Sequence, residues 1–352
     1  MNTKNKYPLV SVIIPHYNGM DILSECLDSI SKSTYSNIEI IVVDNNSADD
    51  SVQQLKEKYP SIKLLESAEN LGFAGGCNLG VSHSSGKYCV ILNNDTIHQP
   101  NWIEPLVEMM ESDDNISSVQ PKILNYYNHD KFDYAGGSGG FMDYLVFPFA
   151  RGRIFDTVET DNGQYDDARE IFWASGTAFI TRTEIFQNIG GFDEDLFAHF
   201  EEIDYHWKCH LMGYNVWVQP KSVIYHKCGA TLSDTSSFKT YLNHRNSILL
   251  LLTNYSGWRG FWLSIPRMAL EGISFLKELF TGRFSHAFAH VRAKSWLVFH
   301  PQIILKRRKL VNSLRKLTDE ELKKKLYQKS VVLDYFLRKR KSLCQNFHKY
   351  SD

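Results

Sequence analysis

The chain has 352 residues, of which 43% are hydrophobic and 22% are charged. This balance is typical of a folded protein and excludes an intrinsically disordered chain. The length is sufficient for one large α/β domain with an appendage, or for two domains. The formal net charge of −1 is unevenly distributed, because 14 Lys/Arg and only 4 Asp/Glu lie between Lys306 and Lys341. A basic segment on an acidic body indicates an anionic partner, either nucleic acid or anionic lipid.

The cysteine pattern and the first residues predict a cytoplasmic protein. None of the six cysteines belongs to a Cys-x-x-Cys pair, and we interpret them as reduced thiols. Residues 1–8 carry no apolar signal segment, and no uninterrupted apolar run reaches the roughly 18–20 residues needed to span a bilayer. The cysteines are Cys26, Cys77, Cys89, Cys209, Cys228 and Cys344.

The first part of the chain alternates between two hydrophobic patterns. Near-continuous apolar runs predict buried strands, and apolar residues spaced by three and four predict amphipathic helices. This alternation predicts an α/β fold with a parallel, doubly wound sheet, in which ligands bind beyond the C-terminal ends of the strands. The predicted strands are 10–14, 38–43, 62–65 and 88–92, and the predicted helices are 23–30, 51–59, 78–84 and 103–110.

Asp44 directly follows the second predicted strand. Its carboxylate is suited to accept hydrogen bonds from a base such as uracil or thymine. The alternative is that Asp44 caps the next helix, as Asp often does in that position. The sequence leaves both interpretations open.

Residues 70–78 form a glycine-rich stretch that opens a helix. Such stretches let the backbone approach a phosphate or a sugar closely. This one has neither the G-x-G-x-x-G pattern nor the G-K-[ST] ending of a P-loop. The alternative is a tight turn that needs positive φ angles.

Asn93, Asn94 and Asp95 end the fourth predicted strand. One carboxylate together with diphosphate oxygens suits Mg²⁺ or Mn²⁺, and such a cation would neutralise a leaving diphosphate. The alternative is a simple strand-end turn, because Asn and Asp favour turns.

Three carboxylates fall within four positions before a predicted helix, at Glu201, Glu202 and Asp204. Their mutual repulsion is costly unless a cation or a raised pKa explains it. A clustered carboxylate can act as a general base toward an acceptor hydroxyl. The alternative is an acidic first helical turn that the helix dipole favours.

Further candidates are isolated residues. His226 ends a later apolar stretch and is a candidate metal ligand, although a single His is more often structural. Trp173 and Trp207 are candidates for stacking on sugar rings, although core packing is the commoner explanation for one Trp. Residues 125–165 are rich in Gly and aromatic residues, which predicts loops over a site.

Taken in order, these motifs resemble the family 2 glycosyltransferases with the GT-A fold, and within them the rhamnosyltransferase-like and galactofuranosyltransferase-like bacterial enzymes. The resemblance covers roughly residues 8–255 and is specific for the family, but it is not specific for the sugar. It implies a Rossmann-like, mostly parallel sheet flanked by helices, followed by a helical, basic C-terminal extension. The matching segments are 12–18, 42–47, 70–78, 92–95, 173–176, 190–194, 200–204 and 243–246.

The resemblance also implies a role for each matching residue. Glu202 occupies the position of the catalytic base, with Glu201 and Asp204 in support, and Asp95 is the metal ligand, with His226 as a further one. Asn93 or Asn94 would support the metal site. The nucleoside would be held by Pro15, Tyr17, Asn18 and Asp44, the diphosphate and donor sugar by Asn70, Gly72, Phe73, Gly75 and Asn78, and the acceptor by Trp173 and Gly176.

The implied activity is transfer of a sugar, with inversion, from a UDP- or dTDP-type donor to an acceptor hydroxyl, with Mg²⁺ or Mn²⁺ as cofactor. Two departures weaken the match: Asn93 replaces the first Asp of a D-x-D motif, and Glu201-Glu202 replaces a Glu-Asp pair. The alternative is a catalytically inactive nucleotide-sugar-binding protein. A nucleic-acid-binding role is disfavoured, because the basic tail lacks interleaved aromatic residues.

The predicted catalytic domain is 1–240, with a nucleotide-sugar half at about 8–100 and an acceptor half at about 101–240. The remaining segment, 241–352, is predicted to be helical, basic and peripheral on the inner face of the membrane, because residues 255–300 alternate apolar and basic positions and include Trp258, Trp262 and Trp296. Its clusters 306–309 and 338–341 would meet anionic headgroups, each charge contributing about 1 kcal/mol near the surface. The alternative is a helical subdomain with a solvated basic face. The sequence leaves a homo-oligomer open.

Overall fold

The computed structural model describes residues 7–227 and 236–343. Cys228 and Cys344 of the reduced-thiol prediction lie outside the described residues. The other four cysteines are buried and unbridged, namely Cys26, Cys77, Cys89 and Cys209.

The described strands form a large mixed sheet and a small antiparallel sheet. The small sheet consists of the four short strands from residue 140 to residue 158, and the other nine strands belong to the large sheet. In chain order the strands are β1 (Val10–His16), β2 (Ile38–Asp44), β3 (Lys63–Glu66), β4 (Tyr88–Leu92), β5 (Thr96–His98), β6 (Ile116–Asn125), β7 (Gly140–Met142), β8 (Pro148–Ala150), β9 (Arg153–Ile154), β10 (Thr157–Val158), β11 (Arg169–Ile171), β12 (Ala178–Arg182) and β13 (Asn215–His226).

The large sheet has the order β11-β13-β6-β12-β4-β1-β2-β3, and β5 pairs with β13. Strands β3, β2, β1 and β4 are mutually parallel, which confirms the predicted parallel sheet for this half. The other half is mixed, because β12 runs antiparallel between β4 and β6. The C-terminal ends of β1, β2 and β4 therefore share one edge, where ligands bind in such sheets.

Twelve α-helices and one 3₁₀ turn, Glu194–Leu196, accompany the strands in the described residues. Apart from the glycine-rich stretch, the helices of the first half lie where the sequence predicts them. The helices are α1 (Met20–Ile30), α2 (Ser51–Lys58), α3 (Gly72–Ser82), α4 (Glu104–Ser112), α5 (Thr183–Ile189), α6 (Glu201–Leu211), α7 (Ser237–Asn254), α8 (Arg259–Phe280), α9 (Phe284–Phe299), α10 (Pro301–Leu314), α11 (Asp319–Lys323) and α12 (Val331–Phe336).

Strand β1 shows why a continuous apolar run is needed at the centre of the sheet. All its residues are buried. Val12 and Ile14 point into one hydrophobic cluster, and Ile13 points into another on the opposite face. Alternate side chains of a strand face opposite sides, so a strand covered by helices on both faces requires apolar residues at every position.

The glycine-rich stretch is helical where a loop was predicted. Helix α3 begins at Gly72, not at residue 78. A Cβ atom at Gly80 would lie 2.3 Å from Ile13 Cγ2, and one at Gly76 would lie 3.0 Å from Pro15 Cβ. The glycines thus allow a helix to approach β1 closely, and this packing outweighs their weak helix propensity.

The prediction of loops for residues 125–165 is partly wrong, because strands β7–β10 lie within this stretch. The small sheet packs through Gly140, where a Cβ atom would lie 2.1 Å from the ring of Trp173. Such short strands separated by turns leave no long period-two pattern in the sequence, which is the signal that identifies strands.

The helical C-terminal region is confirmed, and it shares a core with the part that carries the sheet. Trp207 and Leu211 of α6 belong to one cluster with Leu249, Leu297 and Val311 of α7, α9 and α10. The shared core fixes α7–α10 against α6.

Two of the four basic residues at 306–309 have partners within the protein, whereas Lys306 and Lys309 are exposed, so contact of this cluster with headgroups stays a prediction. Arg307 is 2% exposed and is paired with Asp193 and Asp204. Arg308 donates hydrogen bonds to the carbonyls of Leu252 and Gly257.

No helix within residues 7–227 and 236–343 combines the length and the apolar character that crossing a membrane requires.

Candidate functional site

Asp44 lies at the sheet edge, beside His16 in the register of β1 and β2. It is buried, and its Oδ2 accepts a hydrogen bond of 3.1 Å from the Ser47 amide. Its Oδ1 is buried and has no hydrogen-bond partner among the described residues. Helix α2 begins after Asp50, so the interpretation of Asp44 as a helix cap is wrong. An unsatisfied buried carboxylate oxygen is costly, and it is suited to a ligand N–H donor.

The loop after β1 is tied to the loop after β2. Asn18 has a φ of 56°, its amide donates to Ser47 Oγ at 2.9 Å, and its Oδ1 accepts from the Ala48 amide at 2.8 Å. Pro15 is buried behind this loop, and Tyr17 is exposed at its surface. The two loops therefore form one wall beside Asp44, with the Tyr17 ring free to contact a ligand.

The start of α3 forms the second wall. Gly72 has a φ of 69° and packs against Phe197, where a Cβ atom would lie 2.9 Å from the carbonyl oxygen. Asn70 is exposed, and its Oδ1 accepts from the Gly72 amide at 2.9 Å. Asn78 is bound to the protein itself, because its side chain donates to Phe192 O at 2.9 Å and accepts from the Phe192 amide at 2.8 Å. It holds α3 in place and has little capacity left for a ligand.

The three polar residues after β4 have different surroundings. The Asn93 amide donates to Thr177 O at 2.9 Å, which joins β4 to the start of β12. Asn94 Nδ2 lies 2.9 Å from Nδ1 of His16, whose pKa is lowered by burial. Asp95 is buried, and its backbone carbonyl accepts from the Lys227 amide at 3.0 Å. Residues from β1, β4 and β13 thus meet at this corner.

Asp95 and His226 lie next to each other, as the metal-site prediction requires. His226 Nε2 is 3.1 Å from Asp95 Oδ1, and both side chains are buried. Within the described residues no donor is aligned for a hydrogen bond with Asp95 Oδ1. A carboxylate oxygen and an imidazole nitrogen that lie next to each other form a donor set that suits Mn²⁺ or Mg²⁺.

Asp133 completes this corner, and the sequence analysis did not identify it. It is buried, and its Oδ1 lies 3.0 Å from His226 Nδ1. Histidines that bind metals usually donate their second ring N–H to a carboxylate or a carbonyl, which fixes the tautomer. Asp133 lies in the irregular stretch before β7, where no periodicity or motif marks it.

Glu201 and Glu202 begin α6. Burial raises the pKa of Glu202 to about 7, and burial together with the neighbouring charge of Glu202 raises the pKa of Glu201 well above its usual range. Glu201 is buried, whereas Glu202 is partly exposed and lies beside Gly176 and Phe73. Of the two residues, only Glu202 therefore combines a raised carboxyl pKa with partial exposure of the side chain.

Asp204 differs from its two neighbours. It is paired with Lys208 at 2.6 Å and with Arg307 at 2.8 Å, and it accepts a hydrogen bond from Asn254 at 2.9 Å. Arg307 and Lys208 outweigh the effect of burial and hold the pKa of Asp204 below its usual value. Because cations occupy both of its oxygens, Asp204 anchors α6 to α7 and α10 and has no oxygen left for a reaction.

The backbone before α6 is strained, and a later motif holds it. Phe197, His199 and Phe200 have φ angles of 64°, 64° and 74°, a conformation that is costly for residues other than glycine. Asn246 Nδ2 donates to the carbonyls of Leu196, Ala198 and His199. Arg245 Nη2 donates to the carbonyls of Asp195 and Leu196.

Arg245 and Asn246 therefore position the loop that carries Glu201 and Glu202. The sequence identifies residues 243–246 as a matching motif, but the spacing of these residues gives no indication of this contact.

Trp173 and Trp207 are core residues. Trp207 is fully buried against Phe172 and Tyr255. Trp173 is 8% exposed, packs against Gly140 and donates from Nε1 to Phe141 O at 2.8 Å. Neither indole presents a free face, so the core interpretation applies to both. Gly176, by contrast, lies at the cleft, where a Cβ atom would meet Phe73 at 3.3 Å and Glu202 at 3.9 Å.

Comparison with known proteins gives a consistent result. The model of the family described as "Glycosyl transferase family 2" matches residues 11–190. A Mycobacterium tuberculosis protein named N-acetylglucosaminyl-diphospho-decaprenol L-rhamnosyltransferase is 24% identical over 282 residues, which cover 75% of this chain and 90% of that protein. A Haemophilus influenzae protein named an uncharacterized glycosyltransferase is 38% identical over 115 residues, which are 32% of this chain and 36% of that protein.

Solved structures share the fold. The structure of GalNAc-T7 with UDP, GalNAc and Mn²⁺ has a TM-score of 0.58 at 18% identity, covering 72% of this chain and 49% of that one. The mannosyltransferase PcManGT from Pyrobaculum calidifontis, in complex with GDP-Man and Mn²⁺, has a TM-score of 0.50 at 18% identity, covering 89% and 82%. The predicted GT-A fold is confirmed.

Proposed function

The chain belongs to glycosyl transferase family 2, and from that premise we propose that it transfers a sugar, with inversion, from a UDP- or dTDP-sugar to an acceptor hydroxyl. The observation that carries the proposal is Glu202, a partly exposed residue whose Oε2 is buried without a hydrogen-bond partner and whose pKa is raised to about 7 by burial. Glu202 lies beside Gly176, and the carbonyl of the next residue, Thr177, accepts a hydrogen bond from the amide of Asn93, two residues before Asp95. A candidate base and a candidate metal ligand linked in this way support a transferase.

The donor nucleotide occupies the sheet edge in this proposal. The free Oδ1 of Asp44 accepts from a base N–H, with Pro15, Tyr17 and Asn18 forming the wall beside it. Asn70, Gly72, Phe73 and Gly75 line the diphosphate and sugar at the start of α3. Asn78 acts indirectly, by fixing α3 to Phe192.

Asp95 and His226 hold the divalent cation, and Asn93 and Asn94 shape the corner around it. When bound, Mg²⁺ or Mn²⁺ supplies charge neutralisation to the leaving diphosphate. The contact of 3.1 Å between the buried side chains of Asp95 and His226 supports this assignment.

The reaction is a single displacement. The acceptor oxygen attacks the anomeric carbon as Glu202 takes its proton, and the bond between that carbon and the diphosphate oxygen breaks. The electron pair of that bond leaves with the nucleoside diphosphate. Glu201 is buried beside Glu202, and burial together with the neighbouring carboxylate raises its own pKa, so Glu201 favours a protonated carboxyl group at this position. The raised pKa matches a base that works near neutral pH.

The acceptor half, from about 101 to 240, contributes Gly176 to the acceptor side, with Trp173 supporting that wall from behind. The name of the mycobacterial relative describes rhamnose transfer to N-acetylglucosaminyl-diphospho-decaprenol, a lipid-linked saccharide. We propose the same class of acceptor here, in synthesis of a bacterial cell-surface polysaccharide or glycolipid on the cytoplasmic face of the membrane.

The first experiment is release of nucleoside diphosphate from a panel of UDP-, dTDP- and GDP-sugars, with Mn²⁺, with Mg²⁺ and with a chelator. One donor is expected to be turned over only when metal is present, and a lipid-linked saccharide should accelerate the release. Donors that bind without turnover, even with that acceptor, would support the inactive nucleotide-sugar-binding protein.

Replacing Asp133 should weaken metal binding without touching a ligand. In Asp133→Asn the new amide can donate to His226 Nδ1, which favours the tautomer with a proton on Nε2. We expect the Mn²⁺ affinity, measured by electron paramagnetic resonance with UDP present, to fall about 10- to 100-fold.

Asp130→Asn, an exposed position in the same segment, is the matched control and should bind Mn²⁺ like the wild type. Unchanged Mn²⁺ affinity in Asp133→Asn, together with weak binding in His226→Ala, would exclude the positioning role.

Replacing Asn246 should slow the reaction while leaving donor binding intact. Asn246→Ala removes three hydrogen bonds from the strained loop, so Glu202 is no longer held in its reactive position. We expect kcat to fall about 10- to 100-fold with little change in the donor KM.

The control is Asn243→Ala in the same helix, whose side chain makes no hydrogen bond in the described part of the chain. A rise in donor KM at constant kcat would show that Asn246 serves the donor site instead.

A further inference from the structure

Helix α8 has its polar and apolar faces reversed relative to a surface helix of a globular protein. Its buried residues are Gly260, Arg267, Glu271 and Glu278. A surface helix usually turns its apolar stripe to the core and its charges to solvent. Here the exposed residues include large apolar ones. They are Trp258, which directly precedes the helix, and Phe261, Trp262, Ile265, Ile273, Leu276, Leu279 and Phe280 within it.

The buried charges show that this orientation is built into the fold. Arg267 is paired with Glu271 at 3.0 Å and donates to the carbonyls of Leu145 and Val146 at 2.7 and 3.0 Å. Glu271 also contacts His244 of α7 and His290 of α9. Rotating α8 to bury its apolar stripe would break this network and leave buried charges unpaired.

The exposed apolar surface continues onto the next helix. Helices α8 and α9 pack on each other and on α7, so their opposite sides face outward. Phe280 and Phe284 flank the turn between α8 and α9. The exposed large residues of α9 are Phe284, Phe288, Val291, Val298 and Phe299. We call the exposed residues of both helices the α8–α9 face. At 1.5 Å per residue, α8 alone extends for about 33 Å, so the face is far larger than scattered surface residues produce.

The exposed charges of the segment that carries this face have one sign, although Arg259 at the start of α8 is paired with the exposed Glu320 that follows the segment. Residues 255–316 contain 12 Lys/Arg and 2 Asp/Glu. The two acidic residues are Glu271 and Glu278, and both are buried. Every exposed formal charge of this segment is therefore positive, which is complementary to an anionic surface.

We infer that the α8–α9 face lies in the interface of an anionic lipid bilayer, with its aromatic and aliphatic side chains among the headgroups and upper acyl chains and its Lys/Arg on the phosphates. This inference deepens the proposed function, because contact with a membrane would bring the enzyme to a lipid-linked acceptor, and in that respect it rests on the proposed function. The evidence for the surface itself does not depend on the sugar-transfer reaction. A second copy of the chain fits less well. In a two-fold dimer the face would meet itself, and like charges would meet across it.

The surface lies within residues 255–300, where the sequence predicts aromatic and basic helices at the membrane interface, and it is separate from the basic clusters 306–309 and 338–341. Arg307 is buried, Arg308 is bound to backbone carbonyls, and Arg338 is paired with Asp334. Apolar burial, assisted by charge, is therefore the main source of binding.

The test is co-sedimentation of the full chain with vesicles of phosphatidylcholine alone and of phosphatidylcholine with phosphatidylglycerol in equal amounts. The variant is Phe280→Ser with Phe284→Ser, at positions 83% and 67% exposed, so the fold is not disturbed. The matched control is Tyr127→Ser with Leu337→Ser, at positions 75% and 74% exposed outside the α8–α9 face.

The wild type and the control are expected to bind the anionic vesicles more tightly than the neutral ones, and less tightly as salt is added. The variant should have a partition coefficient at least about tenfold lower. Failure of the wild type to bind either vesicle, or equal binding by variant and wild type, would overturn the inference. So would a wild-type dimer in light scattering that the variant loses, because a second copy would then cover the face.

Donor turnover measured without vesicles separates this inference from the proposed function. The Phe280/Phe284 variant should release nucleoside diphosphate as the wild type does. If the wild type binds vesicles but turns over no donor, the membrane-binding inference is supported and the proposed transferase function is refuted.

Discussion

Glu202→Gln is expected to lower kcat for sugar transfer about 10³-fold, within the range of a lost general base. Glutamine has the same size as glutamate and leaves the first turn of α6 intact, but it cannot take the acceptor proton. The wild-type rate should rise as pH increases through about 7, because the base form of Glu202 appears there. The variant should lack this rise. Measuring kcat against pH with the preferred donor checks both effects.

Glu201→Gln is the matched control, because it makes the same chemical change one residue away. Glu201 is buried, so its variant should keep kcat within about tenfold of the wild type. If Glu201→Gln shows the larger loss, or if Glu202→Gln keeps the pH dependence of the wild type, the base has been assigned to the wrong carboxylate.

Glu202→Gln should also stabilise the folded protein at high pH. A carboxyl group with a usual pKa near 4.5 and a folded-state pKa near 7 holds its proton more tightly in the folded chain. Its favourable contribution is complete below about 4.5 and is lost as pH rises through about 7. Glu202→Gln has no such loss. Its Tm should therefore exceed that of the wild type at pH 8 and match it at pH 4, as scanning calorimetry can measure.

Asp95→Ala is expected to abolish metal-dependent turnover, with a loss on the order of 10³-fold or more, since metal coordination contributes several kcal/mol to transition-state stabilisation. It removes the carboxylate of the donor set and leaves His226 as the remaining ligand. Mn²⁺ binding should be lost in parallel, measured by electron paramagnetic resonance in the presence of the donor nucleotide. The fold should persist, because the Asp95 carbonyl still accepts from the Lys227 amide.

Asp114→Ala, at a fully exposed side chain, is the control and should leave Mn²⁺ binding and turnover unchanged. Wild-type turnover that resists a chelator, or an Asp95→Ala variant that retains Mn²⁺ affinity, would contradict the metal assignment. A variant that binds Mn²⁺ normally but turns over slowly would instead place Asp95 on the donor sugar.

The half of the fold that carries the donor site could be predicted from the sequence. Continuous apolar runs identify β1 and β4, because a parallel strand covered on both faces needs apolar residues at each position. Polar residues directly after those runs must then meet at one edge. This argument identifies Asp44 and Asp95: the register of β1 with β2 places Asp44 at that edge, and Asp95 follows the end of β4 at Leu92.

The acidic start of α6 was also visible, as an unusual concentration of like charge. The sequence pattern could not show that its three carboxylates have different partners and different exposure. Asp204 is neutralised by Arg307 from α10 and Lys208 from its own helix, while Glu202 stays partly accessible. That difference depends on which distant helix packs against each side of α6.

Local periodicity by itself determined the α/β class, the strand-end motifs and the helical character of the C-terminal region. Only the tertiary structure decided three other features: the contact of Asp133 with His226, the hold of Asn246 on the strained loop, and the outward direction of the apolar stripe of α8. The physical reason is that hydrophobic spacing describes one element at a time. The direction in which a helix turns its stripe, and the partner that a buried polar group meets, depend on long-range packing and on the pairing of buried charges.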